Sequence, residues 1–344
     1  MAAWEFISHV RNGAAIANLA DLGSRKISLY LNQPGDVTGV LDLFSPRADR
    51  SVLQPGVHEL KIYRDGVQVE TVFQLATAVP ELNDEGGGAL QLSWLGVSSY
   101  LSDLFVGPAY NVASAAQNTV AWSVINTAQG KTNANYGITD GTHTAAQPSK
   151  TFDAEEERDA KEAVTSIGDR ASGFDWRIST DRTFQTWYPQ RGDYLAESVI
   201  FQHGMNCTIG NLAEDASPGA IVNAVKVKIG NNASVTVQDA TSQAIYGRRE
   251  GVATLPDEYS ATVATQYGNA IIATRAYPSI IPVIQVDVDH PTYSFGTPWL
   301  GDVVRVIADV GMYARYDDDY RIVAVHIEID DEGKESVAFE LNAA

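Results

Sequence analysis

The sequence predicts an α+β, β-rich chain in which two small β-barrels flank a mixed α+β insertion. Three observations carry that expectation. Short alternating runs with turn punctuation fill the first stretch, helical spacing replaces them through the middle, and alternation returns near residue 191. The implied boundaries are 1–97, 98–190 and 191–344, with one helix over 257–276 in the last part.

In the first part, Lys26–Leu31 alternates and Asn32-Gln-Pro-Gly35 follows as a turn. Leu60–Tyr63 runs through Arg64-Asp65-Gly66 into Val67–Phe73, which is a hairpin signal because Asp-Gly tolerates the positive φ of a tight primed turn. Gly86-Gly87-Gly88 precedes a strand and lacks the Gly-Lys-Ser/Thr ending of a phosphate loop, so it reads as a connector. In the middle part, Val112, Ala116, Val120 and Val124 recur at helical spacing, with Gly130 as the stop. A polar loop over Lys131–Ser149 comes next. Asp153 stands three before Glu156, a capping-box spacing, ahead of the apolar stripe Ala160, Ala163, Val164 and Ile167. Phe174–Ile178 and Thr183–Tyr188 straddle Ser179–Arg182 as a second hairpin.

The last part opens with Ala224–Ile229 and its answering strand Ser234–Val237. The helix from Asp257 carries Val263, Ala264, Tyr267, Ala270 and Ile271 on one side. Strands then follow over Val283–Val288, Leu300–Val306 and Tyr320–Ile329, and Asp330-Asp-Glu-Gly333 turns the chain into Glu335–Leu341. The segments Val225–Ile229, Val303–Ile307 and Ile322–Ile329 are the candidate edges, since exposed strand edges pair readily with other chains.

Hydrophobic residues make up 44% and charged residues 19%, the balance of a folded chain rather than a disordered one. A net charge of −19 argues against tight nucleic-acid binding and against an anionic membrane as partner. Residues 301–344 hold eleven Asp and Glu against four Arg and Lys, so the acid is uneven. A solvated face explains this, and so does a surface that repels an anion. The single cysteine, Cys207, excludes an internal disulfide framework and reads as a small buried apolar residue. Met1-Ala-Ala-Trp-Glu-Phe6 has no basic segment ahead of an apolar core, and the apolar runs are too short to span a membrane.

Chemistry finds little support. Glu155, Glu156, Glu157 and Asp159 suit the positive end of a helix better than a hydrolytic carboxylate pair. His9, His58, His143, His203, His290 and His326 show no zinc-ligand spacing. Asp317-Asp318-Asp319 and Asp330-Asp331-Glu332 lack the spacing of a calcium loop. The sequence therefore assigns no catalytic residue, cofactor or metal. Trp176, Trp187 and Tyr188, with Phe184, form the candidate platform for a host glycan, against the plainer reading of cross-strand packing.

Leu53-Gln-Pro-Gly56 through Asp65-Gly66, Ser242–Glu250, and Gly301-Asp302-Val303-Val304 with Arg321-Ile322-Val323 together resemble the tail-hub, or minor tail, proteins of long-tailed actinobacterial phages, the Gp37-like family. The resemblance runs nearly end to end and rests on order and spacing. Such hubs are similar to the baseplate hubs of contractile phages, in which two tail-tube-like barrels per chain assemble as a trimer. Six barrels then continue a hexameric tail tube. The resemblance implies a structural virion protein at the tail tip, made in the bacterial cytoplasm. Its partners would be the distal tail protein, the tape-measure protein and further tip or fibre proteins, with phage DNA passing without tight binding. Asp317, Asp318, Asp319, Asp330, Asp331 and Glu332 are then candidates for the channel lining. A tail-associated wall hydrolase and a carbohydrate-binding tip module are the alternative readings.

Overall fold

The computed structural model describes residues 2–343 except 84–86, 108–109, 145–147, 154–157, 170–171, 212–215, 231–232, 256–260, 279–282, 310 and 312–314. The first half supplies β1 (Trp4–Val10), β2 (Ala15–Asn18), β3 (Gly23–Tyr30), β4 (Asp36–Asp42), β5 (His58–Arg64), β6 (Val67–Gln68), β7 (Phe73–Leu82) and β8 (Gly88–Gly96). Asp65 and Gly66 both take positive φ, 50° and 78°, so the β5–β6 turn is of the primed kind that the Asp-Gly pair signals. The strand expected to continue to Phe73 stops at Gln68, and Phe73 instead opens the long strand β7.

The insertion contains a 3-10 turn (Val97–Asp103), β9 (Phe105–Val106), β10 (Asn111–Ala116), α1 (Gln117–Gln129), β11 (Thr139–His143), β12 (Ser149–Asp153), β13 (Arg158–Asp159), α2 (Ala160–Gly168), β14 (Asp175–Ile178) and β15 (Thr183–Trp187). Val120, Val124, Ile125 and Ala128 of α1 and Ala160, Ala163, Val164 and Ile167 of α2 are buried in one core with Phe174, Trp176 and Phe184. Two expectations need correction. The four-residue spacing of Val112 and Ala116 belongs to a strand, β10, paired with β12; the helix begins only at Gln117. The cap of α2 is Asp159, whose Oδ1 accepts the Glu162 amide at 2.7 Å. Asp153 ends β12, and Glu156 lies outside the described residues. Asp159→Ala is accordingly expected to cost about 1 kcal/mol, read as a lowered urea midpoint.

The second half supplies β16 (Ile200–Gln202), β17 (Cys207–Asn211), β18 (Ala224–Ile229), β19 (Ala233–Gln238), α3 (Ala240–Tyr246), β20 (Glu250–Leu255), α4 (Ala261–Arg275), β21 (Val283–Val286), β22 (Val303–Asp309), β23 (Arg315–Ile329) and β24 (Glu335–Ala343). Strands β18, β19 and β20 form their own three-stranded sheet, and with α4 they enclose a separate small core around Val225, Val227, Ala264 and Ile272. Residues 257–260, expected as the start of α4, lie outside the described residues.

The remaining strands of both halves make one fourteen-stranded sheet. Its core is continuous, from Phe6, Ile27 and Trp94 in the first half to Cys207, Ile284 and Phe339 in the second. Two closed barrels were the expectation; among the described residues the ladders close neither half, and β23 joins them by pairing with β3.

The halves nevertheless repeat one plan. In the first, the ladder order is β1-β5-β7-β8-β4-β3; in the second it is β16-β22-β23-β24-β21-β17. Numbered along the chain within each half, with the short strands β2 and β6 and the separate β18–β20 sheet left out, both read 1-4-5-6-3-2. The halves differ in that β1 meets β5 antiparallel whereas β16 meets β22 parallel, and in that the first half adds β2 beside β1 and β6 beside β5. The ladders of the central hairpins match in register. Leu82↔Gly88 and Ile329↔Glu335 close them around Asn83-Asp-Glu-Gly-Gly87 and Asp330-Asp-Glu-Gly-Lys334. The ladder register slips at Ala76 in β7 and at Val323 in β23, each six residues before its closing pair. A bulge is a specific local device. Its recurrence at one place, beside the shared Asp-Glu-Gly, marks an internal duplication.

Candidate assembly surface

The residues that organise this molecule lie where its units meet, and β23 is the centre of that meeting. Its fifteen residues alternate so that Tyr320, Ile322, Val325, Ile327 and Ile329 are buried. Residues 315–321 pair with β22 and residues 324–329 with β3 along the same edge, while β24 takes the other. On the outer face, His326 lies 3.1 Å from Ser28 Oγ and 3.0 Å from Glu340 Oε1, and Lys26 Nζ lies 2.6 Å from Glu328 Oε1. The last pair is more than half exposed and contributes little to stability.

Four carboxylates tie the units together. Arg64 of the first half donates to Glu335 of the second at 2.6 and 3.0 Å, and the Trp4 indole adds a bond at 3.1 Å. Asp175 of the insertion accepts from Arg321, from the Asn32 amide side chain at 2.8 Å and from the Arg191 backbone at 2.6 Å. Buried Glu59 accepts from Arg182, from the Tyr100 hydroxyl at 3.0 Å and from the Asn12 backbone at 3.1 Å.

Glu70 takes the largest share. It accepts from Arg177 at 2.9 Å, Arg191 at 2.7 and 3.3 Å, and the Trp299 indole at 3.0 Å, so the first half, the insertion and the second half share one anion. Its backbone sits in the left-handed region at φ 37°, a cost of roughly 1–2 kcal/mol that these donors offset. Burial alone would raise this carboxyl; Arg191 and Arg177 outweigh it and hold Glu70 down at about 2. A depressed carboxyl stabilises the fold above its ordinary value of 4.5, and that contribution drains away as pH falls from there towards 2. An acid titration followed by tryptophan fluorescence is expected to show this loss, and Glu70→Gln is expected to flatten it.

A cleft of about 490 Å³ opens beside Glu70, lined by Arg64, Gln68, Arg177, Phe295 and Trp299. Its charged groups are already engaged: Arg177 with Glu70, and Arg64 with Glu335 while its guanidinium lies 4.2 Å from the Phe295 ring. No cluster of His, Cys, Asp and Glu suited to a metal occurs among the described residues, and no described helix is long and apolar enough to cross a membrane. Burial raises the Cys207 thiol to about 11, in keeping with a packing role. Glu155, Glu156 and Glu157 lie outside the described residues.

The candidate glycan platform does not assemble. Trp176 is 2% exposed and packs near Phe184 in the core of the insertion. Trp187 belongs to the opposite face of β15, covered by the guanidinium groups of Arg177 and Arg191 at 5.4 and 5.2 Å. Tyr188 is half-buried just beyond it. The alternation that places Phe184 inward sends Trp187 outward.

The acidic candidates form two groups at opposite ends of β23, about 40 Å apart at strand rise. Asp317 pairs with Arg305 at 2.6 Å, and Asp319 accepts the Tyr194 hydroxyl, while Asp318 is exposed. Asp330 holds the turn through the Lys334 amide at 2.7 Å, and Asp331 and Glu332 are exposed. The candidate edges also differ from expectation. β18 is the central strand of its sheet, and β22 and β23 are paired on both sides. The tie residues escaped the sequence reading; the signal available was an acid placed among apolar neighbours, as in His58-Glu59-Leu60 and Val69-Glu70-Thr71-Val72.

With this geometry in view, solved structures identify the fold. The chain is similar over 99% of its length to a tail protein from Neisseria meningitidis, with a TM-score of 0.72, 14% identity and 96% of that chain covered. It is likewise similar to the 43 kDa tail protein of prophage MuSo2 from Shewanella oneidensis, with a TM-score of 0.70, 16% identity and 99% and 97% coverage. A more distant likeness is to the E. coli c3393 protein, a type VI secretion component described as similar to the T4 tail proteins gp27 and gp5 (TM-score 0.51, 10% identity, 94% and 74% coverage). No protein-family model matches the chain, and no curated protein matches it by sequence. The fold is that of phage tail proteins, with a type VI secretion component among its neighbours.

Proposed function

We propose that this protein is a structural, non-catalytic component of a long-tailed phage virion, the hub at the tail tip, of the Gp37-like kind. Three copies form a ring in which two hub halves per chain, 1–97 and 191–344, supply six tube-like positions around a DNA channel, and residues 98–190 form the insertion. The ring adapts a hexameric tail tube and distal tail protein to threefold tip proteins, and it receives the tape-measure end. The single observation that carries this reading is the internal duplication within a fold shared end to end with phage tail proteins: a doubled unit is what converts threefold into sixfold. On this reading Asp317–Asp319 and Asp330–Glu332 mark the two ends of the channel wall, where negative charge keeps DNA from adhering. The test is immunogold labelling of virions with antibody against the purified chain. Label confined to the tail tip is expected; label along the tail, or none on virions, contradicts the assignment.

A further inference from the structure

The insertion is joined to the two halves by charge and not by a shared core. Among the described residues, none of 98–190 belongs to the main core that runs from Phe6 to Phe339. The insertion keeps its own core around Val120, Val124, Ala163, Ile167 and Phe184, to which residues 1–97 lend Val72 and, at the boundary, Val97. Its strands pair only with one another, so no described ladder crosses from it into the fourteen-stranded sheet.

What crosses instead is polar. The first-half carboxylates Glu59 and Glu70 hold Arg182 and Arg177 of the insertion, and Asp175 of the insertion holds Arg321 of the second half. Between these pairs, Thr71 Oγ1 donates to the Ile178 carbonyl at 2.9 Å and Gln74 Nε2 donates to Ser99 Oγ at 2.7 Å. The Trp176 amide donates to Asn32 Oδ1 at 2.8 Å, and the Arg11 guanidinium lies 5.2 and 5.3 Å from the rings of Tyr100 and Tyr136. We propose that the insertion is a hinged arm, held closed on the two halves by the carboxylate latches Glu59, Glu70 and Asp175, and that it swings as a rigid body when they part.

The physical case lies in what opening exposes. Domains of one chain move against each other unless the interface between them is large and apolar. Parting an ion pair returns both charges to water, which recovers the desolvation that closing imposed. Each hydrogen bond of the junction is likewise exchanged for one to water. The apolar packing inside the insertion has no such substitute in water, so the arm keeps its shape while its attachment gives.

The chain enters and leaves the arm through glycines. The Gly96 amide donates to the Gly35 carbonyl at 2.7 Å, and a Cβ on Gly96 would lie 3.0 Å from the Gly35 nitrogen. Gly192 takes φ 92°, and a Cβ there would lie 2.2 Å from the Gly301 carbonyl carbon. Neither crossing carries a side chain, and a swing is absorbed as φ/ψ change at such positions.

The test is pulsed electron spin resonance between nitroxides in a Cys207→Ser background, with unlabelled chain in excess so that each pair lies within one chain. Thr38→Cys with Thr127→Cys reports β4 against α1 of the arm, and Thr127→Cys with Glu162→Cys reports α1 against α2 inside it. All three positions are exposed. Glu59→Gln with Glu70→Gln, which uncharges two latches at nearly unchanged size, is expected to add a longer distance to the first pair and to leave the second unchanged. A first pair that keeps its single distance overturns the arm. Broadening of both pairs together also overturns it, because the insertion then melts and does not swing. Hydrogen exchange on the unaltered protein tests the same point without a latch variant. The Trp176 and Arg191 amides, which bond across the boundary, are expected to exchange before those of Val124 in α1 and Val164 in α2; equal rates overturn the proposal.

Discussion

Glu70→Ala is expected to lower the unfolding free energy by about 3–5 kcal/mol, the cost of leaving buried charges without their partner. The side chain is 11% exposed and neutralises Arg177 and Arg191 while holding the Trp299 indole. Removing the carboxylate leaves two guanidinium groups facing each other in a poorly solvated cleft. It also removes what holds a left-handed residue between two units. The effect should exceed that of Lys26→Ala, whose ion pair with Glu328 is largely solvated. Urea unfolding of both variants checks the ranking, and a Glu70→Ala midpoint equal to that of Lys26→Ala would contradict it.

Trp94→Ala is expected to cost about 3–5 kcal/mol, through lost transfer energy and the cavity left behind. Trp94 is 1% exposed and lies in the register row Val37–Trp94–Leu75, where both neighbours are fully buried. The core it fills runs on to Phe339, so the loss should reach the second half as well as the first. Amide hydrogen exchange tests this. Protection should fall in β24 as well as in β7 and β8; an effect confined to the first half would mean that the halves unfold independently.

Much of this fold was legible because its signals are local. The Asp65-Gly66 turn, the Ser179–Arg182 hairpin and the Asp330–Gly333 turn each follow from a few residues whose φ preferences leave little choice. The misread helix start shows the limit of that logic. Val112 and Ala116 fit helical spacing, but pairing with β12 sets their conformation. The junction was hidden for a different reason. β3 and β23 lie about 300 residues apart, and no periodicity records a partner at that distance. The interface candidates failed likewise: Val225–Ile229 and Ile322–Ile329 are apolar because they are central strands.

The duplication was present in the sequence but faint, since the two hairpin turns share only Asp-Glu-Gly in a row. It becomes decisive once the bulges at Ala76 and Val323 fall at matching places. The acidic balance changes meaning in the same way. One cluster near the end of the chain becomes two groups at opposite ends of a single strand, one of them partly neutralised by Arg305.

The most direct test of the central claim is native mass measurement of the purified chain combined with electron-microscopic class averages viewed down its symmetry axis. The account predicts a mass of three chains and a ring of six similar lobes. A persistent monomer, or a ring containing six chains, would contradict it.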